Sequence, residues 1–106
     1  MNNRLDFARV NRAAIAALPA VLGRLLPRGK TLGREYQALN PRRADRSLGS
    51  FKVNSLNGKW CDFSTGDAGG DPVSLVAYLE GVSQGEAARL LARMLGVELR
   101  EGSQHG

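Results

Sequence analysis

The chain has 106 residues, 42% of them hydrophobic, and carries 15 Lys/Arg against 10 Asp/Glu. This length supports one small domain, and the single Cys61 excludes both an intramolecular disulfide and a cysteine-based zinc site. No apolar run approaches the roughly 18 residues of a membrane span and the N-terminus lacks a secretory-signal layout, so no membrane partner and a cytoplasmic location are expected.

In chain order, Asn11 is a candidate cap for a helix with Ala14, Ile15, Leu18, Val21, Leu22 and Leu25 at helical spacing. Pro19 must kink or divide that segment, which ends at Pro27 and Gly29. Residues 33–39 alternate as a short strand, with Tyr36 and Ala38 on one side. A polar stretch follows from Asn40 to Gly49, with Arg42, Arg43 and Arg46 against only Asp45.

Residues 51–56 and 59–63 read as a hairpin turned by Asn57-Gly58, a pair suited to a type I′ turn. A two-residue turn there sets Ser55 opposite Trp60 and Val53 opposite Asp62. Phe51, Val53 and Trp60 then share one face, and Lys52, Asn54, Lys59, Cys61 and Phe63 the other. Asp71-Pro72 opens a helix over 72–79, with its end near Gly81. Ser83 and Glu86 form a capping-box pattern for a second helix closed by Gly96.

The expected fold is therefore α+β. A helical segment (1–32) precedes a three- to four-stranded antiparallel sheet (33–71), then two helices (72–99) and a frayed tail (100–106).

Charge is distributed unevenly along this plan. Residues 1–60 hold 12 Lys/Arg against 3 Asp/Glu and residues 61–106 hold 3 against 7, which leaves the halves at +9 and −4. Concentrated positive charge attracts a polyanion, and nucleic acid is the commonest intracellular one. Tyr36, Phe51, Trp60 and Phe63 interleave with Arg34, Lys52, Lys59 and the 42–46 arginines, as a single-stranded nucleic-acid surface requires. Against this, Phe51 and Phe63 are read first as core residues, while Trp60 and Tyr36 are balanced between core and stacking.

Other chemistries find less support. The glycine-rich loop 64–71 leads to a helix start, yet Asp67 and Asp71 occupy the places a phosphate would take, so Asp71 is read as the cap. Asp62, Asp67 and Asp71 are read as surface acids rather than cation ligands. The only histidine is His105, in the tail, and Cys61 has no base within reach of its strand. The chain alone is not expected to be an enzyme, and no cofactor is expected.

From Gly33 to Leu99 the sequence resembles the N-terminal zinc-binding domain of bacterial and phage primases of the topoisomerase-primase (toprim) type. The motifs that carry the resemblance are Asn40-Pro41-Arg42-Arg43, Ser50-Phe51, Trp60-Cys61-Asp62-Phe63-Ser64-Thr65, Gly70-Asp71 and Glu80-Gly81-Val82-Ser83-Gln84-Gly85-Glu86-Ala87. The four ligand positions fall on Asn40, Arg43, Asp62 and Thr65, so the resemblance implies a zinc-ribbon-like shape without its metal. The whole chain is similar to zinc-less N-terminal regions of primase-helicase-like proteins on mobile elements.

This resemblance implies a non-catalytic single-stranded DNA-binding role in replication initiation or primer synthesis. It points to Arg42, Arg43, Lys52, Lys59 and Trp60, beside Arg34, Tyr36 and Arg46 from the basic-aromatic pattern. A toprim primase, a helicase or another replication protein is the implied protein partner. The alternative is an adaptor that docks such a partner and binds no DNA.

Overall fold

In the computed structural model, which describes residues 6–43 and 48–98, the first helix begins earlier than the apolar spacing suggests. Asp6 caps α1 (Phe7–Ala16), its carboxylate accepting the Arg9 amide at 2.9 Å. The predicted cap, Asn11, lies inside that helix. Its Oδ1 accepts the Val73 amide at 2.9 Å and so satisfies a free donor of a helix start 62 residues away. Pro19 divides the segment, because α2 (Leu18–Leu25) begins anew with the proline in its first turn, where no amide donor is needed.

Five antiparallel strands follow in sequence order: β1 (Lys30–Leu32), β2 (Glu35–Ala38), β3 (Phe51–Asn54), β4 (Trp60–Asp62) and β5 (Ala68–Gly69). The sheet is wider than the three to four strands expected. All three β1 side chains are exposed and β5 has only two residues, so neither shows an alternating pattern. Gly33, at φ 62°, turns β1 into β2.

Within the central hairpin Val53 pairs with Trp60, Lys52 with Cys61 and Phe51 with Asp62, two residues away from the register a tight Asn57-Gly58 turn would set. Asn54 is the reason. Its amide donates to the Lys59 carbonyl at 2.7 Å, its carbonyl accepts from Gly58 at 2.9 Å, and its Oδ1 accepts the Leu56 and Asn57 amides at 2.8 and 3.1 Å. These bonds close a longer loop. Gly58, at φ 79°, backs directly onto the Pro72 ring, where a Cβ would collide. A slip of two preserves side-chain parity, so the two faces of the hairpin are the ones expected.

Asp71 caps α3 (Pro72–Glu80) by accepting the Ser74 amide at 2.8 Å, while Ser74 Oγ accepts weakly from the Asp71 amide at 3.4 Å. Ser83 likewise caps α4 (Gln84–Leu95) through the Glu86 amide at 3.1 Å. Gly81 and Gly96 end these helices in the left-handed conformation that glycine adopts most cheaply.

The helices cover one face of the sheet. Val10, Leu18, Leu22, Leu75 and Leu91 meet Phe51, Val53 and Trp60 there in one apolar cluster. Phe51 is completely buried and meets the Trp60 ring edge-on at 6.2 Å. A side chain of this kind contributes about 1.5–3 kcal/mol by burial. The opposite face of the sheet stays open to solvent.

Candidate nucleic-acid interface and the polar clasp behind it

Strand parity that sends Trp60 into the core sends Asp62 there too, and the carboxylate is fully buried. An ionised group in that position costs several kcal/mol unless it is paired and hydrogen-bonded. Arg43 supplies the charge: its Nε lies 2.8 Å from Asp62 Oδ2 and its Nη2 3.2 Å from Oδ1. Asn40 Nδ2 donates to Oδ2 at 2.7 Å, and the Ser64 amide donates to Oδ1 at 2.8 Å. The carboxylate thus receives four donors, two on each oxygen.

The bonding extends outward from this pair. Arg43 Nη2 also donates to Ser50 Oγ at 2.8 Å, and Asn40 Oδ1 accepts the Arg42 amide at 2.8 Å. Tyr78 on α3 accepts from Asn40 at 2.8 Å and donates to Asp67 at 2.7 Å. The result is a clasp joining the turn at 40–43, the strand end at 62–64 and the helix. The hydrogen bond from Arg43, foremost, holds the Asp62 carboxyl down to about 2, outweighing burial, with help from Asn40, the Ser64 amide and the charge of Arg43. Burial raises the Tyr78 hydroxyl above its ordinary value, and Asp67 and Asp62 push in the same direction.

Three of the four positions aligned with zinc ligands therefore meet in space. Thr65, the fourth, turns its hydroxyl to the Asp67 amide at 3.2 Å. This donor set does not fit zinc. A guanidinium stays protonated and has no lone pair to give, and here it already neutralises the one carboxylate in the group. Among the described residues no three His, Cys, Asp or Glu side chains come together as ligands.

The candidate stacking residues divide differently from the sequence expectation. Tyr36 is buried and its hydroxyl donates to the Leu26 carbonyl at 2.6 Å. Trp60 is only 5% exposed, with its ring 4.6 Å from that of Tyr78 and its Nε1 donating to Ser74 Oγ at 3.0 Å. Neither ring offers a free face to a base. Phe51 is core as expected, but Phe63 is not: it is 70% exposed. Phe63 shares the outward parity of Lys59 and Cys61, which overrides its hydrophobicity.

Lys52 Nζ sits 5.3 Å from the Phe63 ring centroid, a cation–π contact on the open face. Lys59 and Lys30 are exposed on the same face, and Arg34 is exposed in the β1–β2 turn. Exposed Arg42 projects elsewhere, with its guanidinium against Gly81 at the C-terminal end of α3, where a cation is favoured. Arg43 is a quarter exposed and committed to the clasp. Arg46 lies outside the described residues, as does the expected tail. The structure thus brings Lys52 and Lys59 together around Phe63, with Arg43 held in the clasp and Arg42 next to it in the turn at 40–43.

No protein-family model and no curated protein matches the chain. Among solved structures it is similar to the zinc-binding and RNA polymerase domains of the Aquifex aeolicus primase, with a TM-score of 0.68 and 24% identity. The match covers 94% of this chain but only 23% of that one, so the fold described above is one found within a much longer primase.

Proposed function

We propose that the chain is a non-catalytic single-stranded DNA-binding module of primer synthesis, built on the zinc-binding part of a primase fold with an ion-pair clasp in place of the metal. The observation that carries this reading is the outward sheet face, where Phe63 stands 70% exposed beside Lys52 and Lys59. An exposed ring gives a base a stacking platform and the ammonium groups neutralise phosphates, while the helices hold the sheet rigid from behind. Likeness to part of a primase favours a replication role over other uses of such a face.

Titration of a labelled oligonucleotide at several salt concentrations tests the proposal. Binding should weaken with salt, and Lys52→Ala plus Lys59→Ala should flatten the log–log slope by about 1.4, or about 0.7 for each phosphate left without its ammonium. Absence of binding at low salt, or a slope unchanged in the double variant, would sink it.

A second reading, docking of a helicase, polymerase or catalytic primase chain, draws on a groove of about 460 Å³ between α2, α3 and α4. Leu25, Leu90 and Met94 line it together with Arg24, Arg93 and Glu80. Co-purification with such a chain, in a protein that binds no oligonucleotide, would favour that reading.

A further inference from the structure

Glu35 is the one acidic side chain that the described strands carry on the open face of the sheet. With Lys52, Asn54, Lys59, Cys61 and Phe63 it lines a depression of about 190 Å³. A carboxylate weakens a surface whose only task is to attract phosphates, so its chemistry here calls for a different ligand group.

The polar atoms around the depression are specific. Glu35 Oε1 accepts from Gln37 Nε2 at 3.2 Å and lies 3.5 Å from Lys52 Nζ, whereas Oε2 has no partner among the described residues. The oxygen of Asn54 is already taken by the Leu56 and Asn57 amides, so its carboxamide can offer the depression only N–H donors. The site therefore presents one charged acceptor, neutral and cationic donors, and an aromatic face.

We propose that this depression reads a single unpaired guanine, an assignment that rests on the single-strand reading above. Stacked on Phe63, guanine directs two adjacent donors, N1–H and the N2 amino group, at the Glu35 carboxylate, and its O6 accepts from Asn54 or Lys52. Thymine is the poorest occupant. Its one N3–H donor is flanked on both sides by carbonyl oxygens, which repel the carboxylate. Cytosine and adenine each offer an amino group but only one donor position, and rank between the two.

The test uses the full chain and a fluorescent oligothymidine of about nine nucleotides whose central base is kept or replaced by guanine, hypoxanthine or adenine. Anisotropy at low salt should show the guanine oligonucleotide binding about tenfold more tightly than oligothymidine. Hypoxanthine, which lacks the N2 amino group, should fall between them. Glu35→Gln should bring the guanine-to-thymine ratio close to one, since it removes the charged acceptor that guanine's two donors address. Equal affinity for all four oligonucleotides overturns the guanine assignment and leaves the single-strand reading standing. Failure of every oligonucleotide to bind overturns both. The hypoxanthine comparison needs no variant, so it decides the matter even where Glu35→Gln disturbs the fold.

Discussion

Replacing Asp62 with asparagine keeps the volume of the buried side chain and removes its charge. The new amide nitrogen would face Arg43, Asn40 or the Ser64 amide, all of them donors, and the guanidinium would lose the charge of Asp62. Breaking a buried pair from one side costs about 3–5 kcal/mol, and the quarter exposure of Arg43 argues for the lower end, about 3 kcal/mol. That is a large share of the roughly 5–15 kcal/mol that holds a domain together, and corresponds to a fall of roughly 12–24 °C in Tm.

The proton equilibrium gives a second measure of the same ion pair. The carboxyl titrates at about 2 in the folded chain against an ordinary value of 3.8. A folded-state value held down in this way contributes stability that is fully present above about pH 4 and is lost as pH falls through about 2. The contribution is about 2 kcal/mol. Urea unfolding at pH 7 and at stepwise lower pH should therefore show the wild type losing this increment while Asp62→Asn, already without it, loses less. A variant destabilised by under about 1 kcal/mol at pH 7, or one that loses stability with acid as steeply as the wild type, would refute the account of the clasp.

Three other outcomes follow from the structure. Phe63→Ala should leave the melting temperature nearly unchanged, because the ring is mostly in water, yet weaken oligonucleotide binding about 5- to 150-fold by removing a stacking platform; paired melting and anisotropy measurements check both halves. Asn11→Ala should cost about 1 kcal/mol in chemical denaturation, since it strips the Val73 amide at the start of α3 of its acceptor. A strong chelator should leave the thermal unfolding curve unmoved, and metal analysis of the purified protein should find zinc far below one ion per chain; stoichiometric zinc, or melting on chelation, would contradict the clasp's role.

What is legible in the sequence is mostly local. Asp71-Pro72, Ser83, Gly81 and Gly96 act through bonds to neighbours a few residues away, so their positions mark the helix ends directly. Side-chain parity along β3 and β4 is equally readable, and it survives a misplaced turn because the slip is even. The register itself depends on Asn54 folding its side chain into the loop and on Gly58 fitting against Pro72, a contact made only in the assembled domain.

Long-range polar partners are hidden for the same reason. Nothing near Asn11 announces that it serves Val73, and the earlier cap at Asp6 lies outside the apolar repeat. Resemblance to metal ligands marks the positions of the clasp but not its bonding. By its chemistry Asp62 reads as a surface acid, and only the inward parity of β4, together with a guanidinium arriving from residue 43, makes a buried carboxylate tolerable. Phe63 misleads in the opposite sense, since its hydrophobicity suggests the core while its place in the alternation puts it in water.

The clasp also bears on how the domain closes after unfolding. A ribbon fastened by a metal must capture an ion from solution, a second-order event whose rate depends on how much is free. Here the fastening cation is the Arg43 side chain, tethered to Asp62 by the intervening chain. Under the proposed metal-free reading, reclosure is an intramolecular encounter, first order and indifferent to the supply of trace elements around it.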